Sequence, residues 1–131
     1  MVCFDTTFLI DLLRGKNGLD LLSKELDYGS ESISIASPSI IEIIRGLKLG
    51  NIDEDENEKV SELISSINVL NLDKDSAILA GKIEANLIKK GEIIDLEDIM
   101  IGAIAIINDE TLITRNIKHF SKIKNLKIQS Y

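Results

Sequence analysis

Short runs of apolar and β-branched residues alternate with longer helical segments throughout this sequence. Five such runs occupy residues 1–4, 32–36, 68–72, 111–114 and 126–128. Apolar runs of this length, bounded by polar residues, are typical of buried strands. Strands that alternate with helices predict a parallel sheet covered by helices on both faces. The chain is therefore expected to adopt an α/β fold.

The helices between these strands carry recognisable start and stop signals. Ser37-Pro38 opens one helix, with Ser37 as the expected N-cap and Pro38 at the first helical position, and Gly50 closes it. Gly91 ends a second helix over residues 73–90, whose small residues are expected to permit close packing. Other helices are predicted over residues 8–14, 19–26 and about 96–107, with a helical turn over 117–120. The acidic segment 53–58 is expected to lead into a further helix through Leu63 and Ile64.

Length and composition indicate one domain, spanning residues 1–131. No apolar run approaches the length of a membrane span, and the sequence enters its first strand without a signal-like segment. We therefore expect a soluble, cytoplasmic protein with no membrane partner. The single cysteine, Cys3, excludes an internal disulfide and a multi-cysteine zinc site, and its apolar surroundings predict a packed core residue.

The charge is acidic overall and unevenly distributed. A net charge of −7 argues against a generic basic nucleic-acid binder. Six acids cluster between residues 53 and 62, whereas no acid follows Glu110 and five lysines and arginines do. Solvated faces are the ordinary interpretation of both runs, although a locally basic face remains compatible with them.

Asp5 ends the first apolar run and is followed by two hydroxyl residues, Thr6 and Thr7. Either threonine is a suitable cap for the helix that follows. The position places Asp5 at the carboxyl end of a core strand, where open α/β sheets bind their ligands. A purely structural role, in which Asp5 shapes the strand-to-helix turn, explains this stretch equally well.

Asp98 is an acid within an almost wholly apolar helix, residues 96–107. A helix of that composition is buried on most sides, and a carboxylate there is costly unless it is paired, hydrogen-bonded or bound to metal. One explanation is a variant capping box, with Asp95 as N-cap and Asp98 three residues later. Metal ligation is the other, and the two are compatible.

Glu42 lies outside the apolar arc of its helix, so periodicity favours an exposed surface acid. Its position soon after a strand-to-helix junction nevertheless keeps it near the sheet edge expected for Asp5. Three carboxylates at one edge would repel each other and require a cation, and oxygen ligands suit Mg²⁺ or Mn²⁺. Phosphate contacts could come from residues after the fourth strand, namely Arg115, Lys118 and His119.

Four segments of the chain resemble the PIN-domain ribonucleases, in particular the VapC toxins of toxin–antitoxin pairs. They are Phe4-Asp5-Thr6-Thr7-Phe8-Leu9-Ile10-Asp11, Ser37-Pro38-Ser39-Ile40-Ile41-Glu42, Asp98-Ile99-Met100-Ile101-Gly102-Ala103, and Leu112-Ile113-Thr114-Arg115-Asn116 with His119-Phe120. They occur in the family's order and span nearly the whole chain.

The resemblance implies a three-layer α/β/α sandwich with a mainly parallel sheet of four to five strands. It also implies a metal-dependent endoribonuclease in which Asp5, Glu42 and Asp98 bind Mg²⁺ or Mn²⁺. Thr114 and Asn116 would orient water or the scissile phosphate, leaving a 5′-phosphate. The implied partners are an RNA substrate, a VapB-like antitoxin and a second copy in a homodimer.

Three residues near this implied site have roles that the resemblance leaves less defined. Many PIN domains have an acid where this chain has Asn116, so one negative charge is missing and the number of bound metals is open. Asp95 is a possible auxiliary acceptor or the helix cap, and Arg115 is a possible auxiliary phosphate contact.

Two rival functions fit parts of the same sequence. A non-catalytic PIN-like module that binds RNA or protein is compatible with the missing acid and with the net charge. A receiver-type phosphorylation domain also places acids at strand ends, but among its required positions only Asp5 is matched.

Overall fold

The computed structural model describes residues 2–13, 33–50 and 54–131, and these contain five strands and six helices. The strands are β1 (Val2–Phe4), β2 (Ile33–Ala36), β3 (Asn68–Leu70), β4 (Thr111–Ile113) and β5 (Ile128–Gln129). The helices are α1 (Thr6–Leu13), α2 (Ser37–Lys48), α3 (Glu54–Ser66), α4 (Lys74–Lys89), α5 (Leu96–Ile107) and α6 (Ile117–Phe120). The predicted helix over residues 19–26 lies outside the described residues.

The strands form one parallel sheet in the order β3-β2-β1-β4-β5. The central strand is β1, and its residue Phe4 is in register with Ile35 of β2 and Ile113 of β4. The carboxyl ends of these three strands therefore meet at one edge of the sheet. The predicted parallel α/β sandwich with four to five strands is confirmed.

Each face of the sheet is covered by its own apolar cluster. Phe4, Ile35 and Ile113 point into one cluster with residues of α1, α2 and α3. Cys3 and Leu112 point into the other, with residues of α4, α5 and α6. Because successive strand residues face opposite sides, the short strands serve both clusters and produce three layers.

Cys3 is a packed core residue, as predicted. It is fully buried, and this burial is the main reason why the pKa of its thiol is raised to about 12. A thiol that stays protonated at neutral pH behaves as a small apolar side chain.

Two glycines end helices as predicted. Gly50 and Gly91 both have positive φ angles, 79° and 72°, in the left-handed region that glycine adopts without steric cost. The predicted strand boundaries are less accurate than the helix ends. Strand β3 ends at Leu70 rather than at 72, and β5 comprises Ile128–Gln129 rather than 126–128.

The predicted N-cap at Ser37 is wrong. Ala36 occupies the N-cap position of α2, and no side chain caps the helix there. The Ser37 hydroxyl instead accepts a hydrogen bond from the backbone N–H of Leu72, at 3.2 Å. This contact ties the start of α2 to the chain that leaves β3, a long-range partner that local sequence does not reveal.

The expected close packing of α4 through its small residues is also mostly wrong. Ala80 is buried, but Ala77, Gly81 and Ala85 are exposed. A Cβ built at Gly81 would meet no atom within 4 Å. The small residues on that side of α4 therefore face solvent rather than a neighbouring helix.

No helix among the described residues is long and apolar enough to cross a membrane.

Candidate active site

Asp5 is the first residue after the central strand and caps the helix that follows. Its Oδ1 accepts a hydrogen bond from the backbone N–H of Phe8, at 2.8 Å, which is the usual geometry of an N-cap. The prediction that Thr6 or Thr7 caps α1 is therefore wrong, since both lie within the helix. Asp5 is only 4% exposed, so this carboxylate is buried at the carboxyl edge of the sheet.

Thr114 reaches the same point from the end of β4. Its hydroxyl donates a hydrogen bond to Oδ2 of Asp5 and accepts one from the backbone N–H of Asn116, at 3.0 Å. Burial raises the pKa of the Asp5 carboxyl, and the hydrogen bonds from Thr114 and Phe8 oppose that rise. The hydrogen bonds described to this carboxylate come from neutral donors, and the positive charge of Arg115 acts on it without a direct ion pair.

Glu42 lies on α2 and faces this same edge. Its Oε1 accepts a hydrogen bond from the hydroxyl of Thr6, at 3.1 Å. The interpretation of Glu42 as an exposed surface acid is wrong, because the residue is partly buried. Burial is the main reason why its pKa is raised to about 7, and the carboxylates of Glu97 and Asp98 add to the rise.

Asp98 lies in the first turn of α5 and is also partly buried. Burial raises the pKa of its carboxyl, as do the negative charges of Asp95 and Asp5, whereas His119 opposes the rise. The predicted capping box is wrong, since Asp95 occupies the N-cap position but makes no side-chain capping bond. Capping therefore does not explain the acid at position 98.

Asn116 and His119 stand beside Asp98. The side-chain amide nitrogen of Asn116 is 3.0 Å from Nδ1 of His119, and this same ring nitrogen is 3.8 Å from Oδ2 of Asp98. His119 is thus part of the acidic cluster rather than an isolated surface histidine.

Arg115 forms an ion pair with Asp11 rather than with any of the three acids. Tyr131 donates a second hydrogen bond to the same carboxylate oxygen of Asp11, at 2.8 Å. Our sequence reasoning assigned no role to Asp11 or Tyr131. A usable signal for Asp11 was present, because it is an acid within an apolar helix, the same pattern that singled out Asp98.

None of the described lysines and arginines forms an ion pair with Asp5, Glu42 or Asp98. The two nearby arginines are engaged elsewhere, Arg115 with Asp11 and Arg45 with Glu97. Three carboxylates with raised pKa values and no ion pair to a described lysine or arginine therefore share one edge of the sheet. This is the electrostatic setting that a divalent cation stabilises.

The donor set suits a hard cation that retains part of its water. Within residues 2–13, 33–50 and 54–131, no group of three or more acidic, histidine or cysteine side chains is placed so that it could hold a metal ion. Mg²⁺ does not need such a cage, because it commonly keeps several waters and takes one or two carboxylates together with substrate phosphates. The residues fit a partly hydrated ion of this kind.

Comparisons with known proteins agree with this architecture. The family model described as PIN domain matches residues 2–126. Ribonuclease VapC1 of Methanocaldococcus jannaschii is 33% identical over 131 residues, covering 99% of this chain and 86% of that protein.

Two solved toxin–antitoxin structures have closely similar folds. DNA-bound VapBC from Salmonella typhimurium has a TM-score of 0.86 and 26% identity, covering 99% of this chain and 98% of that one. VapBC2 from Rickettsia felis, bound to a DNA fragment from its promoter, has a TM-score of 0.88 and 23% identity over 100% and 99% of the two chains. The chain therefore belongs to the PIN domain family and, within it, to the VapC ribonucleases.

Proposed function

We propose that this protein is a metal-dependent endoribonuclease that cleaves RNA phosphodiester bonds and is the toxin of a toxin–antitoxin pair. The observation that carries the proposal is the convergence of Asp5, Glu42 and Asp98 from three separate elements, with raised pKa values and no described ion pair to lysine or arginine. A purely structural cluster would be expected to recruit a cationic side chain.

Asp5, Glu42 and Asp98 are the residues that we assign to Mg²⁺ or Mn²⁺ binding. A divalent ion at such a site supplies water activation and neutralises charge on the phosphodiester. Thr114 fixes the Asp5 carboxylate through its hydroxyl group, and His119 holds the side-chain amide of Asn116. Asn116 offers a neutral carbonyl oxygen to water or phosphate in place of the more common acid.

The two auxiliary residues receive different assignments. Asp95 adds negative charge next to Asp98 and would serve as an auxiliary acceptor outside the three proposed ligands. Arg115 is held by Asp11, so we assign it a structural contact rather than a phosphate contact.

The proposed partner is a VapB-like antitoxin, because the Salmonella typhimurium relative was solved as a VapBC complex. Ile41 and Ile44 support a protein partner near the site, since both are exposed apolar residues on the helix that carries Glu42. We also propose that the protein forms a homodimer. A single PIN domain over residues 1–131 is proposed because the described residues form one sheet that is covered on both faces.

A cleavage assay on total RNA with Mg²⁺ or Mn²⁺ tests the proposal. Asp5→Asn and Asp98→Asn are expected to abolish cleavage, since each removes a charge from the site but keeps its shape. Asparagine is as good an N-cap as aspartate, so α1 should still form in the first variant. Asp109→Asn is a matched control, because Asp109 is exposed and paired with Lys127. Unchanged cleavage by both site variants would contradict the assignment.

A non-catalytic RNA- or protein-binding module is the alternative, and Asn116 in place of an acid favours it. Mn²⁺ titration distinguishes the two, because a binding module has no need for a tight divalent site. Asn116→Asp adds the missing charge and should tighten Mn²⁺ binding in a nuclease. Absence of Mn²⁺ binding to both proteins would favour the module.

A further inference from the structure

Asp11 is a buried carboxylate outside the proposed metal site. It lies on α1, and its side chain is only 7% exposed. Its Oδ2 accepts hydrogen bonds from Nη2 of Arg115 and, at 2.8 Å, from the hydroxyl of Tyr131. A buried carboxylate is tolerated when it is paired in this way, so these contacts account for its position.

Tyr131 also contacts the Arg115 guanidinium, through the face of its ring. The Cζ atom of Arg115 lies 5.4 Å from the centroid of the Tyr131 ring, which is a cation–π distance. The Tyr131 ring in turn packs edge-on against Phe8, with centroids 4.6 Å apart, and Phe8 is fully buried. Arg115 is thus held by a carboxylate and an aromatic face that are both anchored on α1.

Arg115 lies between the two polar residues that follow β4 and enter the site. On one side of it, the Thr114 hydroxyl joins Asp5 to the backbone of Asn116. On the other, the Asn116 amide contacts His119. The segment 114–116 is therefore held at two points. Thr114 binds Asp5 within the site, and Arg115 binds Asp11 outside it.

We propose that Asp11 and Tyr131 are positioning residues of the nuclease, which hold Arg115 so that Thr114 and Asn116 face Asp5. This inference rests on the proposed function. It makes Arg115 an internal anchor rather than an RNA contact, although its side chain is 48% exposed. The two roles differ in what they predict for RNA affinity.

A double-mutant cycle between Asp11 and Arg115 separates these roles. Asp11→Asn and Arg115→Gln should each lower kcat by about tenfold to a hundredfold, the scale of loss expected from a misplaced active-site group. KM for RNA should stay within about twofold, and the double variant should be no worse than the poorer single variant. Asp109→Asn, which breaks an exposed ion pair, should change neither constant.

Hydrogen exchange gives a readout that does not depend on cleavage. The backbone N–H of Asn116 is bonded to the Thr114 hydroxyl, so loosening of the segment should make it exchange faster in Asp11→Asn. Tyr131→Phe removes only the hydroxyl and keeps the ring packing, so it should fold and show a smaller change in the same direction.

An RNA contact would give the opposite pattern. Arg115→Gln alone would raise KM and reduce the salt dependence of RNA binding by about one counterion, while Asp11→Asn would leave kcat unchanged. That result, or unchanged exchange at Asn116 in both Asp11→Asn and Tyr131→Phe, would overturn the inference. If the wild-type protein does not cleave RNA, the proposed function fails, and exchange still shows whether Asp11 holds the segment.

Discussion

Thr114 shows how a single hydroxyl can organise an acidic site. It is fully buried, donates to Asp5 and accepts from the backbone of Asn116, so both of its hydrogen-bonding capacities are in use. Substitution Thr114→Val keeps the shape and removes both bonds. We expect it to lower the free energy of unfolding by about 1–3 kcal/mol, because buried polar groups lose their partners.

Urea denaturation of the metal-free protein measures this loss. Thr111→Val is the matched control, because Thr111 begins β4, the strand that Thr114 follows, and is only partly buried. Equal effects of the two substitutions would show that the Thr114 hydroxyl has no special role.

Glu42 should make the stability of the metal-free protein depend on pH. Its pKa is about 7 in the folded protein, against an ordinary value of 4.5. The folded state therefore keeps a proton that the unfolded state has lost, and stability falls as pH rises between these values. Asp5 and Asp98 act in the same direction, since their pKa values are also raised.

Melting temperatures recorded in chelator from pH 4.5 to 7.5 test this expectation. Glu42→Gln should give a flatter profile than the wild type, because glutamine keeps the acceptor for Thr6 but does not titrate. Parallel profiles would mean that Glu42 has an ordinary pKa in the folded protein.

Sequence reasoning located the main acids but described their surroundings less well. Asp5 was open to two interpretations, a turn-shaping residue or a ligand, and the structure shows that it caps α1 while also facing the site. Glu42 looked exposed because helical periodicity reports only on the apolar arc of its own helix. Its burial comes from Thr6 and α5, which are distant in sequence.

At the level of elements, the alternation of strand-like and helical segments was sufficient to predict the parallel sheet, but it did not predict which residues cap the helices. Asp5, rather than Thr6 or Thr7, caps α1, and the Ser37 hydroxyl binds the backbone of Leu72 instead of capping α2. Asp73 and Ser76 form a reciprocal capping box at α4 that our reading did not anticipate. Caps depend on backbone geometry and remote partners, whereas strand and helix periods are local.

Two helical glycines should respond differently to alanine. Gly81 is exposed on α4 with no atom within 4 Å of a built Cβ, so Gly81→Ala should stabilise the protein by up to about 1 kcal/mol. A Cβ at Gly102 of α5 would lie 2.8 Å from Cδ1 of the buried Ile123. Gly102→Ala should therefore lose that gain and destabilise the protein by about 1–3 kcal/mol through overpacking.

Thermal denaturation of both variants and the wild type measures these two changes in stability. Stabilisation of similar size in both would mean that Ile123 repacks at no cost. Destabilisation by Gly81→Ala would contradict its exposed position.

At the level of the whole molecule, proton binding, metal binding and folding should be linked. At about pH 6.5 a carboxyl group with a pKa of about 7 is largely protonated, so a cation that binds there must displace its proton. Mn²⁺ addition should therefore release protons in weakly buffered solution. It should also stabilise the fold by about 2.7 kcal/mol at a hundred times the dissociation constant.

Proton release can be followed with a pH indicator, and stabilisation by thermal denaturation. Glu42→Gln should release fewer protons than the wild type, whereas Asp109→Asn should behave like the wild type. Equal release by Glu42→Gln and wild type would exclude Glu42 from the cation site.

The bond between Thr114 and Asp5 joins residues 109 positions apart. During translation the amino-terminal part of the chain leaves the ribosome first, so Asp5 emerges long before the residues that follow β4. A ribosome-attached chain that lacks them has Asp5 but not the hydroxyl group that fixes it. The order of synthesis therefore separates the two halves of this contact, because the carboxylate of Asp5 is made before β2, β3 and β4, and its hydroxyl partner only after them.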